Sequence, residues 1–355
     1  MTRFTEALGR AARKALQYAT IIRIEDDGGV NRLLTEDMTS ASLASEIESI
    51  TAKIIRTRKP LFDRKAHPVT NQRRFVRTKL GEGFLLAMQR GVEQVRLSFP
   101  THKLHPFLEL FEKHTAGISY LYQPFGEADF DTLNACIAAM REEARTPEFR
   151  RRRDAHIKLV RNNTASLIGY IDALFARWSR LLVVRLDVGY QQMYCDHFAV
   201  AGRAVTAQQV RRDRDAFLRY LRTECPVKIR GFAWKLEYAT LKSYHLHFLL
   251  FFDGNQSREG ITIGKILGEL WRDRITAGKG TYYNCKPDDY VRRGIGLIHW
   301  IDPEFAILKE DVAPYLTKPN FLIRLGMPKG RTFGRGVVPE LANNKPGRPR
   351  TRAAA

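Results

Sequence analysis

Cysteine is scarce and scattered in this chain of 355 residues: Cys136, Cys195, Cys225 and Cys285 form no CxxC pair. That spacing excludes a cysteine-built zinc site or a disulfide framework and reads as ordinary reduced thiols of a cytoplasmic protein. No stretch approaches the roughly 20 continuous apolar residues of a membrane span, and the first residues lack the order of a secretory signal. Negative charge is short as well. There are 38 Asp and Glu against 59 Lys and Arg, for a formal net charge of +21. Such an excess favours a polyanionic partner, and without an apolar span nucleic acid is a stronger choice than a membrane. A hydrophobic content of 44% argues against disorder, and the length allows two domains, each with its own core.

What is present is organised around Tyr244-His245-Leu246-His247-Phe248-Leu249-Leu250-Phe251-Phe252. This apolar run, bounded by Lys242-Ser243 and Asp253-Gly254, predicts a buried strand. Alternation puts His245 and His247 on one face and Leu246, Phe248 and Leu250 on the other. Taken alone, the pair also fits two hydrogen-bonded histidines on a half-buried strand. The aromatic-rich Phe232–Tyr238 precedes it, close enough for a hairpin. A loop of Thr240, Leu241 and Lys242 sets Glu237 opposite His245, so a carboxylate and two imidazoles converge. Such oxygen and nitrogen donors suit Mg²⁺, Mn²⁺ or Zn²⁺. Farther on, Tyr315 and Lys318 are three apart and share a face on a helix.

A hydrophobic-flanked His-x-His followed by Tyr-x-x-Lys resembles the HUH endonucleases that initiate rolling-circle replication. Leu181–Val188 resembles their first motif, His245-Leu246-His247 the second and Tyr315-Leu316-Thr317-Lys318 the third. Glu237 stands where many such enzymes keep a third metal ligand. Gly231-Phe232-Ala233-Trp234, Ile266–Trp271 and Arg331–Gly336 bring the likeness closer to replication initiators of filamentous phages and prophages (inovirus type). The likeness covers roughly residues 178 to 340, and the tyrosine comes last, unlike in conjugative relaxases. Pro314, directly before Tyr315, departs from the pattern and bears on the continuity of that helix.

The resemblance implies a metal-dependent, strand-specific DNA nickase that rejoins strands through a 5′-phosphotyrosine. Tyr315 would be its nucleophile and Lys318 an assisting cation, with His245, His247 and Glu237 holding Mg²⁺ or Mn²⁺. The implied partners are single-stranded or supercoiled DNA at a replication origin, with host helicase and polymerase, in the cytoplasm of a bacterial cell. A non-catalytic DNA-binding regulator on the same fold and a relaxase- or transposase-like enzyme are the alternatives.

The fold expected is α+β: an antiparallel sheet with helices on one face, related to ferredoxin-like folds, plus an N-terminal all-helical domain. Residues 1–176 read as a helical basic accessory domain, 177–325 as the HUH endonuclease domain and 326–355 as a basic flexible tail. In the first part, Ser40 is expected to cap a helix striped by Leu43, Ile47, Ile50 and Ile54. Another helix from about Thr70 would carry Phe75, Leu80, Phe84, Leu85, Met88 and Val92. Thr146-Pro147 opens a third, bearing Arg150-Arg151-Arg152-Arg153, either a solvated face or a phosphate-contacting edge. This half contains no repeat and no glycine-rich phosphate loop.

Arg185 and Lys235 are further candidates for nucleic-acid contact, as are Arg348 and Arg350 in the tail. The Gly-Arg-Pro of that tail resembles an AT-hook but also serves as an electrostatic tether. Asp187 is either a metal or substrate group or a solvent-facing carboxylate. Tyr282, Tyr283 and Tyr290 either stack on bases or cover core.

Overall fold

A computed structural model describes residues 11–13, 22–26, 29–33, 36–66, 73–118, 127–326 and 330–340. The first half is helix-rich but not all-helical. Strands β1 (Ile22–Asp26) and β2 (Gly29–Leu33) form an antiparallel ribbon, followed by helix α1 (Glu36–Arg56). A second ribbon, β3 (Phe62–Ala66) with β4 (Arg73–Arg77), leads to α2 (Lys79–Arg90) and α3 (Glu93–Ser98). Then come β5 (His102–Leu104), α4 (Pro106–Thr115), α5 (Glu127–Arg145) and the long α6 (Pro147–Arg177).

The helix expected from about Thr70 is therefore divided. Phe75 lies in β4 opposite Arg64, and Thr78 opens a new helix by accepting from Gly81 N. Leu80, Phe84, Leu85 and Met88 belong to α2, and Val92 lies beyond it. Ser40 is not a cap. It lies inside α1, fully buried, donating to Gln94 O and accepting from Ser98 Oγ. Thr146 does cap α6, accepting from Phe149 N with Pro147 at the first position.

The second half is an open antiparallel sheet. Its members are β6 (Arg180–Tyr190), β7 (Ile229–Ala239), β8 (Ser243–Asp253), β9 (Gly280–Cys285), β10 (Gly296–His299) and, after the short β11 (Ile323–Leu325), β12 (Phe333–Arg335). The order among the described residues is β10-β6-β8-β7-β12, with β9 sharing the outer edge of β6. Helix α7 (Ala207–Thr223) joins β6 to β7, and Thr206 caps it by accepting from Gln209 N. Helix α8 (Gly260–Glu269) runs into π-helical turns at Leu270–Ile275.

Helices cover both faces of this sheet, not one. On the first, Leu186, Phe248 and Leu250 meet Phe217 and Leu221 of α7 with Leu267 and Trp271. On the second, Leu181, Val183, Leu249 and Phe251 meet Leu167, Ile171 and Leu174 of α6. Each such buried side chain contributes about 1.5–3 kcal/mol. Strand alternation shows that a face is apolar but not which distant helix closes it. Here one helix serves two cores: Phe149 and Val160 of α6 sit in the core of the first half, its later turns on the sheet.

The two halves also share backbone, since β11 pairs with β5, Ile323 opposite Leu104. The basic tail begins as structure: Phe333–Arg335 forms β12 on the edge of β7, and Arg335 bonds Ser166 of α6. Arg348 and Arg350 lie outside the described residues.

Candidate metal centre

The second face of the sheet changes character along its strands. Where Leu181, Val183, Leu249 and Phe251 are apolar, the next positions on that face are Arg185, Asp187, Lys235, Glu237, His245 and His247. All but Asp187 are buried. Taking an ion from water costs several kcal/mol even after relaxation, so this cluster is a poor core unless it serves a site.

The hairpin forms as its sequence dictates. Ala239 pairs with Ser243 across Thr240–Lys242, which sets Glu237 directly opposite His245. Glu237, His245 and His247 each offer a ligand atom, all within 4.8 Å of one another. His247 Nε2 is 3.3 Å and His245 Nε2 is 3.5 Å from Glu237 Oε2. The other ring nitrogens are turned away: His245 Nδ1 is 3.1 Å from Ser243 O, and His247 Nδ1 lies at ion-pair distance from Asp187 Oδ1, 2.7 Å, without hydrogen-bond geometry. Both Nε2 atoms face the Glu237 carboxylate, where a cation would take a lone pair from each.

His245 Nε2 is a buried atom with no hydrogen bond of its own. That orphan, beside a carboxylate and a second imidazole, is the environment a divalent cation satisfies. The three residues can hold one, and a His-His-Glu donor set is chemically apt for it.

The charge states of the three follow from burial and from their neighbours. Burial alone would raise the Glu237 carboxyl, but the two imidazoles and Lys235 hold it well below the usual range. Burial brings His245 down to about 4, leaving it neutral and ready to donate a lone pair. Burial also opposes charge on His247, but the Asp187 and Glu237 carboxylates outweigh it and raise its pKa.

Tyr315 reaches the same centre. Helix α9 (Pro303–Ile307), π-helical turns at Leu308–Val312 and α10 (Ala313–Tyr315) follow one another without a break. Pro314 lacks an amide to donate, and the wider π turns before it accommodate that loss without ending the helix. The Tyr315 ring meets His247 edge to face, with centroids 5.7 Å apart at 89°. Arg185 lies over the same ring, Cζ 4.0 Å from its centroid. Beyond Tyr315 the chain turns into a 3-10 helix, Lys318–Phe321. Lys318 thus does not continue the tyrosine's helix. It is half-buried, its pKa lowered by burial, and the carboxylate acting on it is Asp311.

The remaining candidates divide. Arg185 and Lys235 are buried inside this face rather than on an open DNA-binding surface. Arg185 pairs with Asp187 at 3.1 Å. Lys235 donates to Asn320 Oδ1 at 2.5 Å, and burial lowers its pKa to about 8. Arg150, Arg151 and Arg152 are exposed and Arg153 partly so on the first turns of α6, beside α4, where Arg152 lies 4.0 Å from Glu109. Tyr283 donates to Asp289, and Tyr290 is raised by burial.

Asp187, open in the sequence between a metal or substrate group and a solvent-facing carboxylate, touches His247 and Arg185. Two contributors escaped the sequence reading. Asn320 and His102 line a small cleft beside Lys235, Glu237 and His245. His102 comes from β5, so the first half forms part of the site's wall, and no local pattern announces it.

Comparison of the chain with protein-family models, with curated proteins and with solved structures finds no match. Among the described residues no helix is long and apolar enough to cross a membrane.

Proposed function

We propose that this chain is a metal-dependent single-strand DNA endonuclease and strand transferase of the HUH replication-initiator kind, acting in a bacterial cytoplasm. The observation that carries the reading is the seating of Tyr315 against His247, a member of the buried Glu237–His245–His247 cluster. A hydrolytic nuclease has no use for a phenol there. The order of the motifs and the charge of +21 support a DNA substrate.

Glu237, His245 and His247 would hold Mg²⁺ or Mn²⁺, and the imidazole donors weigh towards Mn²⁺. When bound, the ion supplies Lewis-acid polarisation of the scissile phosphate. The chain's own residues do the rest. Tyr315 Oη forms a bond to phosphorus while the P–O3′ bond breaks. The phenolic proton passes to solvent, and the departing 3′ oxygen takes one up. The product is a 5′-phosphotyrosine and a free 3′-OH, which can prime synthesis and later attack the same phosphorus to reseal the strand. Asp187 holds the His247 ring, and burial keeps His245 neutral.

The test is incubation of the full chain with a 3′-labelled, random-sequence single-stranded DNA pool and MnCl₂ or MgCl₂. A denaturation-resistant protein–DNA adduct that disappears with chelator is expected. DNA binding with no adduct in either metal would overturn the reading and leave the non-catalytic regulator.

A further inference from the structure

Arg185 is only 5% exposed, in the middle of β6. A guanidinium withdrawn from water requires partners as good as solvent. Two such partners lie close by. Asp187 takes both Nε and Nη2, at 3.4 and 3.1 Å. The Tyr315 ring takes its face, with Cζ 4.0 Å from the centroid.

These contacts close on themselves. Tyr315 meets His247 at 5.7 Å between centroids, and His247 Nδ1 lies 2.7 Å from Asp187. Asp187 returns to Arg185. Tyrosine, arginine, aspartate and histidine thus form a ring of contacts drawn from three elements, α10, β6 and β8. The register explains it: Asp187 faces His247 across the ladder, and Arg185 stands two residues earlier on the same face.

We propose that Arg185 is the positioning residue of this site: it fixes the Tyr315 ring beside the metal-binding cluster and sets a permanent positive charge against it. Tyr315 needs such a hold because it ends a helix, and the chain turns away at Leu316 and Thr317. A planar, always-charged group is required, since it must stack on a ring and fork onto a carboxylate at once. Lysine does neither. The charge also stands where a phenol must become anionic to attack. The catalytic consequence rests on the nickase reading, whereas the stack does not.

Arg185→Lys keeps the charge and loses the stack and the fork. In the full chain, single-turnover adduct formation on the random-sequence DNA pool should fall about tenfold or more, as for a misplaced reacting group. Affinities for Mn²⁺ and for that pool should stay within about twofold. An unchanged rate overturns the proposal, and so does a rate loss that follows Mn²⁺ affinity, because Arg185 would then act through the metal ligands.

A second measurement needs no variant of Arg185 and no activity. In ¹⁵N-arginine-labelled protein the Arg185 Nε–Hε resonance should carry a ring-current shift that Tyr315→Phe keeps and Tyr315→Leu removes. A resonance indifferent to Tyr315→Leu overturns the proposal. A responsive resonance in a wild type that forms no adduct upholds the positioning and sinks the nickase reading instead.

Discussion

Asp187 Oδ1 lies 2.7 Å from His247 Nδ1, directly across the β6–β8 ladder. The contact fixes the ring so that Nε2 faces Glu237, and it strengthens the imidazole as a donor. Asp187→Asn keeps the shape and removes the charge. Mn²⁺ affinity measured by calorimetry should drop about 10–100-fold, the usual effect of losing such a partner. Affinity equal to wild type would show that His247 is not a ligand or needs no support.

The hairpin was legible because every constraint on it is local. A three-residue loop, strict alternation and bulky apolar neighbours set Glu237 opposite His245 without reference to the rest of the chain. Tyr315 was legible as a residue but not in its contacts. Its neighbour Arg185 comes from a strand about 130 residues earlier. The ribbons of the first half were hidden for another reason. Phe62–Ala66 and Arg73–Arg77 carry charges at most positions, and by spacing alone the apolar period of α2 runs back into the second of them. Ser40 looked like a cap since its type favours one, but its hydroxyl bridges to Gln94 and Ser98 instead. The type of Lys235 suggested nucleic-acid contact, and spacing did not show that it is buried and tied to Asn320.

Stability should fall on acidification. Burial lowers His102 to about 3 and His245 to about 4, and also lowers His105 and His156. These folded values lie below the unfolded value of about 6.5, so the unfolded chain binds more protons as pH falls through that value. Glu237, also held low, withdraws stability farther down. His247 opposes them, since its raised pKa adds stability below about 6.5 and loses it as pH rises through the folded value. Four groups outweigh one. Urea midpoints measured with chelator should decline from about pH 7 to about pH 5. His105→Asn, which keeps the acceptor for Phe107 N, should soften that decline. A midpoint that rises on acidification would contradict the account.

The seat of α6 on the sheet depends on Gly231. A Cβ there would stand 2.6 Å from Tyr170 Oη and 2.7 Å from Leu174 Cδ1, both on α6. Tyr170 Oη also accepts from Phe232 N at 3.2 Å, so the tyrosine cannot yield without losing that bond. Gly231→Ala should destabilise the protein by about 1–3 kcal/mol, the usual cost of overpacking. Thermal melts would read this as a lower midpoint, and an unchanged one would mean that α6 sits less tightly than its contacts indicate.

Tyr315→Phe removes one oxygen from the residue on which the nickase reading depends. Its ring remains for His247 and Arg185 to hold, so folding, Mn²⁺ affinity and DNA affinity should match wild type within about twofold. Adduct formation should vanish. Other tyrosines are poorly placed to replace it. Tyr283 donates its hydroxyl to Asp289 at 2.7 Å, and Tyr290 is partly buried with its ionisation opposed by that burial. Tyr282 packs on α8 so closely that a Cβ on Gly268 would lie 2.1 Å from its ring. Peptide mapping of the DNA-linked protein by mass spectrometry checks the assignment directly. DNA on any tyrosine but Tyr315 would dismiss it as the nucleophile. A second adduct alongside Tyr315 would instead mean two nucleophiles, and Tyr315→Phe would then diminish the total without abolishing it.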